Sequence, residues 1–393
     1  MGFLNSSREK NRVIALFDIG SGSVGGAILH MKDEEGELPT IISTTRTPLK
    51  LHDQLDFQAL LRAMTHALRH TAETLYYEKV GTLDEIICVL ASPWYTNETR
   101  TLKMSRERQF IFTDRLANDL LQKEINLLKE AYTKNYDEIS QPEFIEKQVI
   151  DVSLDGVKID KPIDKQTKAV EMNIVVTLST KLCTDTIRKE LAQFFHHTPI
   201  SFSSFLTSSY LAVRDRYNTL ESYLLVDIGG EITDISTVSD SVLKDSASFP
   251  FGSNTLFKKV AEKLSLDKRD AEELINLYSA GLLEENRVHK LEKVLLPIEE
   301  NWKDLFYKCI GSLVYTQYLP NTVFLTTDTA LQAWFTKTMS SHNELKSLTS
   351  DNRLHVIPIE GPELLNMCRV KGGSCDPFLM VEAIALARKS TAK

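Results

Sequence analysis

A glycine-rich turn between two apolar runs constrains this chain more than any other feature, and it occurs twice. From Tyr223 the sequence reads YLLVDIGGEITDISTV: an apolar run ends in Asp227, Gly229 and Gly230 follow, and a second run carries Thr233 and Asp234. From Ala15 it reads ALFDIGSGSVGGAIL: Asp18, Ile19 and Gly20 precede Ser21, Gly22 and Ser23, and a second run starts at Val24. Val, Ile and Leu on both sides of such a pivot predict strand, tight hairpin, strand. Paired glycines admit positive φ and let a ligand approach the main chain. Backbone N–H groups in the turn can hold a phosphate, and the neighbouring carboxylate can hold Mg²⁺ through water. One such turn is ordinarily only a turn. Two of them, about 209 positions apart, predict two related lobes rather than a solenoid, each lending an aspartate-tipped corner to a common cleft.

A chain of 393 residues can bury more than one core, and 42% hydrophobic with 25% charged residues is a globular composition. The formal net charge of −8 argues against a nucleic-acid backbone as the main partner. The five cysteines, Cys88, Cys183, Cys309, Cys368 and Cys375, form no metal-ligand spacing and fit a reducing, cytoplasmic setting. No apolar run has the length of a membrane span, so direct membrane insertion is not expected. The N-terminus lacks a signal-peptide core. Asn97-Glu98-Thr99 fits a glycosylation sequon, discounted in that setting, and Met1–Ser6 fits an N-myristoylation pattern.

Along the chain, residues 1–11 are polar and expected to fray, and Glu34–Gly36 reads as a polar turn between strands, the next being Thr40–Thr45. Asp56 is placed to cap a helix through Tyr77, with Leu60, Leu61, Met64, Ala67, Leu68, Thr71 and Leu75 at helical spacing. Glu85–Ala91 is a buried-type strand. Beyond it the polar stretch Ser92–Arg106, the leucine-rich helix Asp114–Tyr132, an acidic loop or short helix at Asn135–Glu146 and strands at Val149–Ile159 and Val170–Leu178 form a distinct region. Trp94 and Tyr95 read as core residues, with a partner-facing aromatic pair as the alternative. Helices are expected at Thr186–Phe195, around Ser208–Arg214, at Asp267–Ser279 and along Val288–Leu313. The last one, after Asp376-Pro377-Phe378, is apolar nearly all round and therefore buried between elements.

The two turns resemble the phosphate-1 and phosphate-2 loops of the actin/Hsp70/sugar-kinase superfamily. The element order between them resembles its FtsA and PilM branch. The resemblance covers about residues 12–389 and implies an α/β, two-lobed actin-like (ribonuclease H-like) ATPase fold with an inserted SHS2-type 1C domain. It divides the chain into lobe I (12–83, 182–222 and the closing helix 376–393), the insertion (84–181) and lobe II (223–256 and 310–375, with a small subdomain at 257–309). ATP and Mg²⁺ are the implied cofactors. Asp18, Gly20, Ser21, Gly22, Ser23, Asp227, Gly229, Gly230 and Thr233 would surround the phosphates, with Asp18 and Asp227 placing the metal. Gly252 and Ser253 match a Pro-x-Gly turn beneath the nucleotide, where Ser253 or Asn254 would cap the next helix. Glu273 would approach the adenosine, and Thr326 and Thr327 occupy the adenosine loop.

This sequence departs from that pattern at three places. The adenosine loop reads Thr326-Thr327-Asp328-Thr329 where glycines are usual, and Asp328 also suits a helix cap. Glu231 stands where a third glycine is expected. Ser203, Ser204 and Thr207 occupy the helix head where a Glu or Gln would orient water, so no catalytic residue is assigned and at most slow ATP hydrolysis is expected. The resemblance implies a cytoplasmic scaffold peripheral to the inner membrane. It would dock the cytoplasmic segment of a membrane protein through the insertion, as in type IV pilus assembly. Only Ser390–Lys393 follow the closing helix, which favours the PilM side, because FtsA continues into an amphipathic anchor. An FtsA-like division protein that forms filaments with a tubulin-like partner and a sugar- or acetate-kinase-like phosphotransferase are the alternatives.

Overall fold

The computed structural model describes residues 11–32, 36–50, 56–133, 141–313, 319–340 and 353–391. The expectations for residues 1–10 and 134–140, and for the first two residues of the Glu34–Gly36 turn, lie outside these. Strands β1 (Asn11–Ile19), β2 (Ser23–Lys32) and β3 (Thr40–Pro48) form an antiparallel meander, and helix α1 (Phe57–Tyr77) crosses over to β4 (Glu85–Leu90), parallel to β1. Asp56 caps α1 by accepting the Ala59 N–H at 2.6 Å, and all seven apolar-face positions read from the sequence are buried.

The chain then leaves the lobe for an antiparallel sheet of its own. It comprises β5 (Thr96–Phe112), β6 (Pro142–Leu154), β7 (Val157–Lys158) and β8 (Lys165–Thr180), in the order β5-β8-β6-β7, with helix α2 (Asp114–Thr133) covering one face. Asp155 and Gly156, both at positive φ, make the β6–β7 turn where the Asp-Gly pair was read. Two expectations need correction. The insertion starts at Thr96 and not at 84, because β4 hydrogen-bonds to β1 within lobe I. Residues 142–146 are strand, not loop, because β6 pairs with β8 from Pro142 onward.

Helix α3 (Lys181–Leu191), five residues earlier at its start than the expected Thr186–Phe195, returns the chain to β9 (Ile200–Ser204) beside β4. After helix α4 (Phe205–Arg216) the whole pattern repeats. Strands β10 (Tyr223–Ile228), β11 (Thr233–Ser239) and β12 (Val242–Phe249) form a second meander. Helices α5 (Ser253–Leu264), α6 (Lys268–Ser279) and α7 (Glu285–Ser312) lead to β13 (Thr322–Thr326), parallel to β10. Helix α8 (Gln332–Ser340) precedes β14 (His355–Pro358), and short α9 (Gly361–Leu364) and β15 (Arg369–Val370) lead to the closing helix α10 (Pro377–Thr391). The expected limits of the small subdomain, 257 and 309, fall inside α5 and α7.

Both sheets therefore have one strand order, β3-β2-β1-β4-β9 and β12-β11-β10-β13-β14, with β15 added at one edge of the first. Residues alternate between the two faces of each central strand. On β1, Ile14 and Leu16 face one core and Ala15, Phe17 and Ile19 another. On β10, Tyr223 and Leu225 share the core of Ile14, while Leu224, Val226 and Ile228 face a third. The shared core also holds α4 and α10, so five layers stack: helices, sheet, α4 with α10, sheet, helices. Full burial on both faces is why β1 and β10 read as continuous apolar runs.

Candidate functional site

The two meanders bring their first turns face to face. Each is a four-residue loop, closed by Ile19–Val24 in one and Ile228–Thr233 in the other. In each, the first glycine N–H donates to the carbonyl three residues on, Gly20 to Ser23 at 3.1 Å and Gly229 to Ile232 at 3.0 Å. The expected positive φ is not found: Gly20, Gly22, Gly229 and Gly230 all lie outside that region. Glycine is needed for another reason. A Cβ on Gly230 would fall 2.4 Å from both Cα and N of Gly22, and one on Gly22 would fall 3.0 Å from Cα of Gly230. The turns touch main chain to main chain, and the Glu231 N–H donates to Ser21 Oγ at 3.0 Å across the contact. The close approach that the glycines permit is that of the other turn.

Behind this contact lies a cavity of about 160 Å³ lined by Asp18, Gly20, Ser21, Gly22, Ser23, Asp227, Gly229, Gly230 and Ser253, together with residues the sequence did not single out. Asp18 and Asp227 thus share one cleft. Of the other expected site residues, Thr233 is buried and donates to the Phe251 carbonyl at 2.6 Å. Thr326 and Thr327 are buried at the end of β13, outside the lining. Gly252 packs on the second turn, where a Cβ would meet Gly229 O at 2.3 Å. It is also the N-cap of α5, in place of Ser253 or Asn254, whose N–H groups donate to the Gly229 and Gly230 carbonyls at 2.9 and 2.8 Å. Glu272 lines the cavity and Glu273 does not, since one step along α6 turns a side chain by about 100°. Asp328 lines it too, and its side chain makes no cap bond.

Sequence reasoning missed the strongest group present. Arg46, on β3, donates from Nη2 to Asp18 Oδ2 at 2.7 Å, from Nη1 to Ser23 Oγ at 2.8 Å, and from Nε and Nη2 to Asp376 at 2.6 and 3.0 Å. Its guanidinium also lies over the Phe378 ring, 5.2 Å from the centroid. No local signal reveals it, because 28 residues separate it from Asp18 and 330 from Asp376. Glu382, fully buried on α10, did leave a signal: it is a carboxylate in a helix otherwise apolar all round. Trp94 is a core residue with a task, 2% exposed, its Nε1 donating to the Gly20 carbonyl at 3.0 Å and bracing the first turn. Tyr95 also packs inside, against the cores on both faces of the first sheet.

The cleft is crowded with acids. Burial raises Asp18, while Arg46 pulls it down. Burial pushes Asp227 well up, and Asp234, Asp18 and Asp328 add to this; its Oδ1 is buried with no donor in reach. Burial raises Asp234 to about 6. Burial and the Asp18 charge raise Glu382 well above the usual carboxylate range, and neither of its oxygens has a hydrogen-bond partner among the described residues.

These residues do not fit a magnesium triphosphate in this conformation. The turns occupy each other's approach, Asp18 is committed to a guanidinium, and ligand pockets typically enclose ~300–1,000 Å³, more than this cavity. Among the described residues, no three His, Cys, Asp or Glu side chains converge to hold a metal ion.

A second site lies between the insertion and lobe I, a groove of about 620 Å³. Its apolar floor includes Ile14, Ile87 and Leu386, with Lys147, Val149 and Lys389 along it. Glu146 fixes its walls. From β6 it accepts Ser203 Oγ at 2.8 Å, the Ser204 N–H at 3.1 Å, Ser204 Oγ at 2.7 Å and Lys389 Nζ. Burial would raise this carboxyl, but Lys389 and the two serines outweigh it and hold it low. The α4 head thus does meet a carboxylate, supplied from the insertion and fully engaged in joining it to the lobe.

Two meanders of one topology, stacked around α4 and α10 with their turns meeting at the inter-lobe cleft, define an actin-like ATPase fold. Among solved structures, the chain is similar to one described as a PilM-PilN type IV pilus biogenesis complex, with a TM-score of 0.59 and 12% identity over 95% of this chain and 97% of that one. The ethanolamine utilization protein EutJ from Carboxydothermus hydrogenoformans aligns over 98% and 91% of the two chains, at a TM-score of 0.45 and 12% identity. A Bacteroides thetaiotaomicron protein described as having an actin-like ATPase fold and unknown function aligns over 91% and 94%, at 0.38 and 10%. The fold is similar to that of the PilM-PilN complex chain over nearly its full length. No protein-family profile and no curated protein matches the sequence. No described helix is long and apolar enough to cross a membrane.

Proposed function

We propose that this chain is an actin-like scaffold of a type IV pilus assembly system, which docks the cytoplasmic segment of an inner-membrane partner. One observation carries this reading. The chain overlays, over nearly its full length, a chain of a PilM-PilN type IV pilus biogenesis complex, in which a second protein is bound. The groove between the insertion and lobe I supports it, being open, apolar-floored and braced by Glu146. Such a groove takes an extended or helical segment by burying its apolar side chains.

ATP and Mg²⁺ enter this reading only as ligands of an opened cleft. There Asp18, Ser21, Asp227, Gly229 and Gly230 would face them. The test uses synthetic peptides from the cytoplasmic segment of a PilN-type membrane protein, titrated by fluorescence anisotropy. Val149→Glu, at the groove and partly exposed, is expected to weaken binding at least ~10-fold, as burying an unpaired charge costs well over 1.4 kcal/mol. Equal affinity for both proteins, or none for either, refutes the docking reading.

A further inference from the structure

We propose that the Arg46 guanidinium is the built-in counter-ion of the inter-lobe cleft, holding the two turns closed without a metal–nucleotide. The geometry starts from strand register. Asp18 on β1 pairs with Gly25 on β2, and Gly25 pairs with Arg46 on β3. Residues paired across neighbouring strands point to the same face. Arg46 must therefore reach across the middle strand to meet Asp18, and only a missing side chain lets it through. A Cβ on Gly25 would lie 2.6 Å from Nη2 and 2.9 Å from Cζ of Arg46. Gly25 is thus the gap through which the guanidinium passes.

Once there, the planar fork ties four pieces of the lobe together: β1 through Asp18, the first turn through Ser23, its own β3, and the start of α10 through Asp376. Asp376 in turn accepts the Phe378 and Leu379 N–H groups at 3.1 and 3.2 Å, so the same carboxylate caps α10 and grips Arg46. Forked carboxylate–guanidinium bonds fix both partners in orientation. The turn so held is the one whose Ser21 and Gly22 meet Gly230 and Glu231 of lobe II. A cation bound at Asp18 would have to share a carboxylate that Arg46 already engages through Oδ2. This proposal stands apart from the docking groove, which lies between lobe I and the insertion.

The test uses the full chain. Thermal melts of wild type, Arg46→Met, Arg46→Lys and the double variant Asp18→Asn/Arg46→Met are recorded alone, with millimolar Mn²⁺ and with Mg²⁺-ATP. Wild type is expected to shift by less than about 1 °C with either addition. Arg46→Met is expected to melt more than about 5 °C lower, because buried Asp18 and partly buried Asp376 lose their partner. It should regain part of that loss with Mn²⁺, and Arg46→Lys should fall between the two. The double variant, relieved of one orphaned acid, should recover part of the loss without metal. Stabilisation of wild type by Mg²⁺-ATP overturns the proposal, and so does an Arg46→Met protein as stable as wild type. If Arg46→Met does not fold, the double variant decides: recovery supports a counter-ion, and a second failure to fold refutes it.

Discussion

The two turns at the cleft share backbone, topology and an aspartate at the same place, yet the aspartates meet opposite fates. Asp18 is 3% exposed and bonded to a guanidinium that its own meander delivers. Asp227 pairs across the strands with another acid, Asp234, and its Oδ1 finds no donor. The cause is in the partner strands. At the position facing Asp18 stands Gly25, which makes room for a long cation from β3; at the position facing Asp227 stands Asp234, which fills that room with like charge. One duplicated frame thus holds a neutralised corner and an unneutralised one. The lesson is that one turn backbone can occur twice while its electrostatics are set by a residue one strand away.

The comparison breaks most sharply at the glycines. Gly230→Ala puts a Cβ 2.4 Å from main-chain atoms that cannot yield. Urea unfolding should show a loss of at least ~3 kcal/mol, or a cleft that has opened. Gly229→Ala, its neighbour, meets nothing closer than 3.4 Å and serves as the control.

Next in size are the acids. Asp227→Asn and Glu382→Gln should each stabilise the protein at pH 8 by about 1–2 kcal/mol, since each replaces a buried carboxyl group that has an oxygen with no hydrogen-bond partner. Both groups are raised in the folded state, so folding binds their protons. Their stabilising contribution is complete below the unfolded carboxylate range and is lost as pH rises through the folded value. The gain in either variant should therefore vanish near pH 4 and grow toward pH 8, when melting temperatures are compared with wild type. Asp234, raised to about 6, follows the same sign over a narrower window: its contribution is lost between pH ~4 and 6 and is flat above. A gain from Asp234→Asn that keeps growing above pH 7 would contradict that placement.

Smaller still, Trp94→Phe removes the Nε1 donor to the Gly20 carbonyl while keeping most of the packing. A loss of about 1 kcal/mol by chemical denaturation is expected. The smallest effect belongs to Gly229→Ala itself, within ~1 kcal/mol of wild type, because its φ suits alanine and the unfolded chain loses freedom. If Gly229→Ala and Gly230→Ala behave alike, the turns do not meet as described.

Much of the frame could be read from residues alone. Continuous apolar runs marked β1 and β10 because strands buried on both faces have no polar side to show. Asp56 and the spacing from Leu60 to Leu75 fixed α1, and Asp155-Gly156 fixed a turn, since capping and positive φ are local properties. The helix at Asp376–Lys389 was recognised as buried from its all-round apolar surface. The start of β6 reads instead as an acidic loop, because the inserted sheet shows one face to solvent and many of its side chains there are polar.

The site divides along the same line. That Asp18 and Asp227 belong to equivalent corners is written in the repeated sequence. That a guanidinium silences one of them is not, because Arg46 reaches Asp18 by strand register and Asp376 by a contact spanning 330 residues. The closeness of the turns, the engagement of Glu146 with the head of α4 and the burial of Glu382 are likewise decided only when the two lobes stack. Short-range geometry is set by neighbours in the chain, whereas charge compensation depends on which distant groups burial places within a few ångströms, where the dielectric is low and each charge counts.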